Sequence, residues 1–472
     1  MPKKLIKNAF FLTSAAYITM FANAILTIAL ARYLGAKGLG VYTTVFTFVF
    51  FGTIISSFGL SPVIMREIAK NNLLAETYFV NGLFITLIFS FICWMFINGV
   101  VFLMEYPAYV KILIFIGGFS ILTGAVADTC NSIFRAFEKM GIPSLVASGT
   151  SIISSITGIV LLWKGFGLFP IISMIVAGSG LNAIIMLFLL RKYLKNFKNI
   201  NIKVSFEMLK QSFPVALMRT FNTLTHRVDI LMLSGMKGMT SVGLYSAPVK
   251  FINVISVPLQ SLGGASLPRL SAQSASSLDK LQETHDKLLK YFFLLSLPLT
   301  VIVFLLADNL IDFIFGKEYI SGGSAIALRI LILGFLFNIT SGPAQFTIFT
   351  SQDRLNRFVP FMLAITILNI ILNILLIPKY DFLGASISTL ICYIVGLFTR
   401  VMLVRRMFEK SDNLLSISKK PVLATLLMVG PIYFLRDSSW VLAGVTGFIA
   451  YVLILFVLGE FKDWGINVSK RF

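Results

Sequence analysis

Residues 9–34, AFFLTSAAYITMFANAILTIALARYL, form an apolar run of 26 residues that contains one charged side chain, Arg32. An α-helix of about 20 residues crosses the roughly 30 Å hydrocarbon layer of a bilayer. Lys3, Lys4 and Lys7 precede the run, as they would in a secretory signal peptide. Because the run is too long for the apolar part of such a peptide, we predict an uncleaved first membrane span.

Runs of this kind recur along all 472 residues. The chain is 57% hydrophobic and 13% charged, with a mean hydropathy of +0.89, whereas an average soluble domain is about a quarter charged. This composition excludes a water-soluble protein and predicts an all-α polytopic membrane protein. Apolar windows bounded by charge, Gly and Pro give about 14 transmembrane helices, at residues 9–34, 40–64, 78–104, 110–135, 142–163, 168–190, 211–235, 241–267, 288–307, 322–349, 358–378, 383–404, 419–435 and 439–459.

The basic residues divide unequally between alternate connections of these helices. The chain has 40 Lys and Arg against 20 Asp and Glu, a net charge of +20 that would suit nucleic acid. One side of the membrane receives 28 of the bases and the other receives seven. The positive-inside rule therefore predicts that both termini are cytoplasmic. Since topology accounts for the charge, no nucleic-acid partner is expected, whereas anionic membrane lipids are expected partners of the cytoplasmic bases.

Two pairs of segments indicate an internal repeat. Residues 133–139, IFRAFEK, correspond to residues 348–354, IFTSQDR, at an offset of 215. Residues 37–42, KGLGVY, correspond to Lys237-Gly238 and then to Gly243-Leu244-Tyr245, with three extra loop residues in the second copy. These matches pair helices 1–6 with helices 7–12 in the same orientation, which is the parallel-repeat plan of some transporters.

The repeat predicts two six-helix lobes and two additional helices around a central cavity. The predicted boundaries are 1–195 for an N-lobe of helices 1–6, 196–210 for a basic cytoplasmic linker, 211–410 for a C-lobe of helices 7–12, and 411–472 for helices 13 and 14 and a cytoplasmic tail.

Motifs for catalysis are nearly absent from the sequence. His226 and His285 are the only histidines, and neither an H-E-x-x-H motif nor a phosphate-binding P-loop occurs. Cys93, Cys130 and Cys392 form no C-x-x-C pair and are interpreted as small core residues. The longest predicted outer connection, about 308–322, is short for the active site of a glycan polymerase or ligase. We therefore expect no enzyme activity, no cofactor and no metal site.

Ionisable residues inside predicted spans are the candidate functional residues, because charge at membrane depth is costly. In span 7, Arg219, Asn222, His226 and Asp229 share one helical stripe, and Arg227 widens its polar face. The other candidates are Arg32, Asp128, Lys250 and Arg329, in spans 1, 4, 8 and 10.

Two interpretations of this set remain open. Asp229 could neutralise Arg227 or Lys250 as a buried pair, while Arg32 extends to the membrane surface. Alternatively, the five bases exceed the available acids and line a cationic cavity, which favours an anionic ligand such as a diphosphate headgroup.

The sequence also resembles Wzx-type polysaccharide flippases of the multidrug/oligosaccharidyl-lipid/polysaccharide (MOP) exporter superfamily. The resemblance lies in residues 30–42, LARYLGAKGLGVY, in FGLSP at 58–62 and REIA at 66–69, and in RVDIL at 227–231 followed by VGLYSAP at 242–248. It implies two six-helix lobes in a V, alternating access, and transfer of polyprenyl-diphosphate-linked oligosaccharide from the cytoplasmic to the outer leaflet. It also implies that cavity cations receive the diphosphate.

We therefore expect a flippase in the cytoplasmic membrane that binds a polyprenyl-diphosphate-linked glycan. Arg32, Arg219, Arg227, Lys250 and Arg329 are the predicted diphosphate-binding cations, and Asp128, His226 and Asp229 are candidates for ion or proton coupling. The alternatives are a peptidoglycan lipid-precursor flippase and a cation-coupled multidrug exporter of the same superfamily. We expect a monomer, with polysaccharide-assembly enzymes as candidate partners.

Overall fold

A computed structural model describes residues 3–194, 200–350, 352–408 and 414–460, without the side chains of 3–16, 222, 352–357 and 414–417. Every regular element in these ranges is helical. The α-helices are α1 (Lys3–Ser57), α2 (Leu60–Lys70), α3 (Ala75–Leu103), α4 (Ala108–Ala136), α5 (Gly141–Trp163), α6 (Leu168–Leu190), α7 (Ile202–Met236), α8 (Met239–Ser276), α9 (Leu278–Leu305), α10 (Ala307–Phe315), α11 (Lys317–Ser321), α12 (Ser324–Thr340), α13 (Gly342–Thr350), α14 (Gln352–Arg405), α15 (Leu414–Leu435) and α16 (Trp440–Val457).

These helices confirm the predicted all-α membrane fold. Two long helices each contain two predicted spans, because α1 breaks at Gly35 (φ 66°, ψ −172°) and α14 breaks at Asp381 (φ 53°, ψ −137°). Span 2 breaks again at Phe58 and Gly59, which both have positive φ, before α2 begins. Ten continuous helical stretches in the described ranges are long and apolar enough to cross a membrane.

The connection predicted at 308–322 is not an extended loop. Residues 307–315 form α10 and residues 317–321 form α11, joined at Gly316, whose φ is 99°. Ile311, Phe315 and Tyr319 are buried, so apolar contacts hold these two short helices on the surrounding helices.

The chain divides into two compact units, Met1–Ser246 and Ala247–Phe472. In the first, α1 packs on α4 and α5, α4 packs on α6, and α7 packs on α1, α2 and α3. In the second, α9 packs on α12, α13 and α15, α14 packs on α12 and α13, and α15 packs on α16. The division falls near the start of α8; the lobe boundaries drawn from the repeat stay a prediction.

A buried asparagine determines where α7 begins. Asn201 caps the helix, because its side chain accepts from the backbone N–H groups of Lys203 and Val204. The backbone N–H of Asn201 in turn donates to Asn81 Oδ1 of α3 at 2.8 Å, and the Ser205 hydroxyl donates to the same oxygen at 2.8 Å. Asn81 is fully buried. The helix therefore starts at Ile202, nine residues before the predicted span.

Large apolar side chains remain exposed along several helices. On α3, Phe91, Ile92, Met95 and Phe96 are all at least half exposed. Exposed apolar faces of this size are unfavourable in water and favourable against lipid. The described ranges therefore form a multi-pass membrane protein. The three cysteines are free and buried, which confirms their interpretation as core residues.

Helices α1 and α8 meet at two glycines. A Cβ atom built on Gly40 would lie 1.7 Å from the carbonyl oxygen of Met239, and one built on Gly243 would lie 1.8 Å from that of Ala36. Gly40 corresponds to Gly243 in the predicted repeat, and Ala36 corresponds to Met239 at the same offset of 203. The contact is therefore reciprocal, as in an interface related by a two-fold axis.

Candidate functional site

The predicted polar stripe lies on one continuous helix, α7, but its members occupy different environments. Asp229 is buried, with 7% of its surface exposed, whereas Arg219 and His226 are exposed. The side chain of Asn222 lies outside the described residues. The structure therefore separates a buried acid from the exposed polar groups on the same helix.

Asp229 is held by neutral donors. Its carboxylate accepts hydrogen bonds from the Tyr245 hydroxyl of α8 and, at 2.9 Å, from the backbone N–H of Ile230. The charge of Arg227 also interacts favourably with it. A hydroxyl and an amide therefore supplement the electrostatic pairing that the sequence suggested for this acid.

Arg227 lies against an aromatic ring of α1. Its guanidinium carbon is 4.2 Å from the centroid of the Phe50 ring, within cation–π distance. The arginine is half-buried and Phe50 is partly exposed. The ring contacts one face of the guanidinium, whereas phosphate oxygens bind in the guanidinium plane, to the N–H groups at its edge.

Asp128 of α4 is the second acid that the structure brings near predicted cations. It is half-buried and interacts electrostatically with Arg219 of α7 and Arg135 of α4. The Ser132 hydroxyl donates to the backbone oxygen of Asp128 at 2.8 Å and lies 2.6 Å from the Ser61 hydroxyl of α2. The N-terminal unit thus carries two acid–base groups, Asp128 with Arg219 and Asp229 with Arg227.

The remaining predicted cations lie elsewhere. Arg32 is exposed, three residues before the break at Gly35. Lys250 is half-buried on α8 in the C-terminal unit. Arg329 of α12 donates to Asp308 Oδ2 at 2.5 Å and to the backbone oxygen of Phe304 at 3.3 Å. The charge of Arg329 is therefore paired at the corner between α9 and α10.

Arg400 is a candidate that the sequence analysis missed. Although the predicted span 383–404 contains it, the charge count assigned it to the cytoplasmic side; in the structure α14 continues to Arg405 and the side chain is half-buried. Its Nη1 donates to Asn338 Oδ1 at 3.3 Å and to the Ser341 hydroxyl, and its Nε is buried without a hydrogen-bond partner. The apolar residues Val-Met-Leu-Val at 401–404 were the signal that the helix extends beyond this arginine.

Arg400 differs from Arg329 in how its charge is balanced. Within the described residues, Arg400 forms hydrogen bonds to neutral groups and no ion pair. A buried guanidinium without a carboxylate is costly unless water or an anion reaches it. No group of three or more His, Cys, Asp or Glu side chains in the same ranges is arranged to hold a metal ion.

A multi-helix membrane fold with positive charge among its helices is the architecture of a transporter. The chain belongs to the polysaccharide biosynthesis protein family, whose model matches residues 5–274, more than half of its length. A second family model, MatE, matches residues 214–375.

Individual proteins agree with this assignment. A Shigella flexneri protein named as an O-antigen transporter is 26% identical over 405 residues, which cover 81% of this chain and 94% of that protein. The capsular polysaccharide biosynthesis protein CapF of Staphylococcus aureus is 27% identical over 225 residues, 46% of this chain and 56% of CapF. Together with the family matches, they confirm the resemblance to Wzx-type members of the MOP superfamily.

A solved structure shares the fold along nearly the whole chain. The lipid II flippase MurJ, in an inward closed conformation, superposes with a TM-score of 0.79 over 96% of this chain and 99% of MurJ. Sequence identity is 16%, so this likeness concerns the fold. The fold and family are those of transporters.

Proposed function

We propose that this chain flips a polyprenyl-diphosphate-linked oligosaccharide, a polysaccharide repeat unit, from the cytoplasmic to the outer leaflet by alternating access. Family membership and the names of the O-antigen transporter and CapF support this substrate class. The observation that carries the proposal is Arg400, whose guanidinium is half-buried between helices and bonded to neutral groups. An anionic headgroup supplies the missing charge.

The diphosphate is assigned to the cations predicted from the sequence and to Arg400. Arg227 presents the edge of its guanidinium beside Phe50, and Arg400 has an unbonded Nε. To these we add the predicted cations Arg32, Arg219 and Lys250. Arg329 also stays in the predicted set, but a diphosphate would have to displace Asp308 from it.

Coupling to an ion or proton is assigned to Asp128, His226 and Asp229. Asp128 interacts with Arg219, so a diphosphate that binds Arg219 competes with the carboxylate for the same charge. This competition gives a direct physical link between substrate binding and the state of an acid. Asp229 differs from Asp128 in its contacts, because its carboxylate accepts hydrogen bonds from Tyr245 and from a backbone amide.

We also propose the location, oligomeric state and orientation of the protein. It is a non-enzymatic transporter, working as a monomer in the cytoplasmic membrane beside polysaccharide-assembly enzymes, with both termini cytoplasmic. The unequal distribution of bases between alternate connections supports this orientation.

Flipping in proteoliposomes tests the proposal. Wild type, Arg227→Ala, Lys250→Ala and Arg400→Gln are reconstituted at matched amounts with a fluorescent polyprenyl-diphosphate-linked oligosaccharide. Lys164→Ala, an exposed base at the end of α5, is the control. We expect wild-type flipping, a loss of at least tenfold in the three variants of predicted diphosphate-binding bases, and no change in the control. Efflux of an organic cation, or flipping restricted to a peptidoglycan lipid precursor, would instead assign the chain to another branch of the superfamily.

A further inference from the structure

A cleft in the C-terminal unit has none of the cations assigned to the diphosphate among its lining residues. It is formed by α9, α12, α13, α14 and Phe408, and its empty volume of about 560 Å³ includes the solvent at its open side. Three of its lining residues, His285, Asp286 and Arg405, are ionisable, and its wall is otherwise mostly apolar, with Leu289, Phe293, Leu397, Val401, Val404 and Phe408.

The histidine in this cleft has an unsatisfied nitrogen. His285 is 5% exposed, and its Nδ1 lies 3.0 Å from Asp286 Oδ1. Because an ionised carboxylate only accepts, Nδ1 is the donor in this bond, and in the tautomer with one N–H group Nε2 is an acceptor. Nε2 is buried without a hydrogen-bond partner among the described residues. A buried acceptor of this kind is costly until a donor reaches it.

The charges of the cleft match a zwitterion. Asp286 carries one negative charge and Arg405, at the exposed end of α14, carries one positive charge. A primary ammonium has three N–H donors, which suit the two acceptors that these lining residues carry, His285 Nε2 and the Asp286 carboxylate. A phosphate suits the guanidinium of Arg405.

We propose that this cleft binds a membrane phospholipid whose headgroup contains a phosphate and a primary ammonium. The ammonium donates to His285 Nε2 and to Asp286, the phosphate accepts from Arg405, and an acyl chain lies on the six apolar residues of the wall. The lipid would then contact α9 and α14 at once, and its binding does not depend on which substrate the protein flips.

Lipid binding to the purified full chain tests this site by native mass spectrometry in detergent. The probes are dioleoylphosphatidylethanolamine, which has the primary ammonium, and dioleoylphosphatidylcholine, which has the same phosphate and chains but no ammonium N–H group. We expect about tenfold tighter binding of the ethanolamine lipid, since a hydrogen bond to a charged group typically contributes this much. Soluble phosphoethanolamine should not compete at the same concentration if the acyl chain contributes.

Three variants test the contacts of the ammonium and of the phosphate separately. Asp286→Asn and His285→Phe should each abolish the preference for the ethanolamine lipid while phosphatidylcholine still binds, which also shows that the variants fold. Arg405→Gln should weaken both lipids about tenfold. Asp279→Asn and Arg406→Gln, exposed neighbours of the same charge types, are the matched controls. Equal binding of the two lipids by wild type, or a preference that survives Asp286→Asn, would overturn the proposal.

Discussion

The hydroxyl of Tyr245 in α8 donates a hydrogen bond to the buried carboxylate of Asp229 in α7. These two residues link the helix that carries the polar stripe to the helix that carries Lys250. Since Asp229 is almost fully buried, its carboxylate depends on this donor and on the Ile230 amide for solvation.

Tyr245→Phe removes the hydroxyl donor and leaves the Asp229 carboxylate with one hydrogen bond fewer. We expect the free energy of unfolding to fall by about 1–3 kcal/mol. Thermal unfolding in detergent measures the change, with Tyr33→Phe, at an exposed tyrosine, as the control. An unchanged midpoint would mean that another donor replaces the hydroxyl.

Gly40→Ala and Gly243→Ala should both disrupt the contact of α1 with α8. Each new methyl group would lie less than 2 Å from a backbone oxygen, and a backbone cannot move aside as a side chain can. Overpacking of this kind costs about 1–3 kcal/mol or more. Gly99→Ala in α3, where a Cβ meets nothing within 4 Å, is the control and should retain wild-type expression and thermal stability.

The interaction of Arg227 with Phe50 can be measured by a double-mutant cycle. Phe50→Leu, Arg227→Gln and the double variant should give a coupling energy of about 0.5–2 kcal/mol in thermal unfolding. Additive effects of the two substitutions would show that the ring does not stabilise the guanidinium.

Arg400→Met should abolish transport without lowering the thermal stability of the protein. Methionine removes a poorly compensated charge, and the Ser341 hydroxyl keeps its 2.6 Å bond to the backbone oxygen of Asn338. We expect a melting temperature equal to or above that of wild type, together with loss of flipping. A purely structural arginine would instead lose stability on substitution.

Arg329→Met, which breaks a partly exposed pair with Asp308, should lower the free energy of unfolding by at most about 1 kcal/mol.

The helical spans could be predicted from the sequence because apolar runs of membrane length are a direct physical requirement. The breaks inside them were harder to predict. Gly35 is a residue for which positive φ is easy, whereas Asp381 adopts positive φ without being glycine. The start of α7 depends on Asn81, which lies 120 residues before Asn201, so no local pattern could indicate it.

For the candidate site, the sequence identified charged residues but not their partners. The i, i+10 spacing correctly placed Arg219 and Asp229 on one helix. It gave no indication that Tyr245 holds Asp229, that Phe50 covers Arg227 or that Asp308 pairs with Arg329, because these contacts join different helices. Arg400 was missed because a base near the end of an apolar run resembles one that marks the membrane surface.

The contact between Gly40 and Gly243 limits how the two positions can vary. An interface on a two-fold axis uses the same residue twice, once from each side. Gly40 and Gly243 hold equivalent positions in the predicted repeat, but each is encoded separately, so each can mutate without the other. The geometry requires the smallest residue at both, because a Cβ atom at either one would lie less than 2 Å from a backbone oxygen.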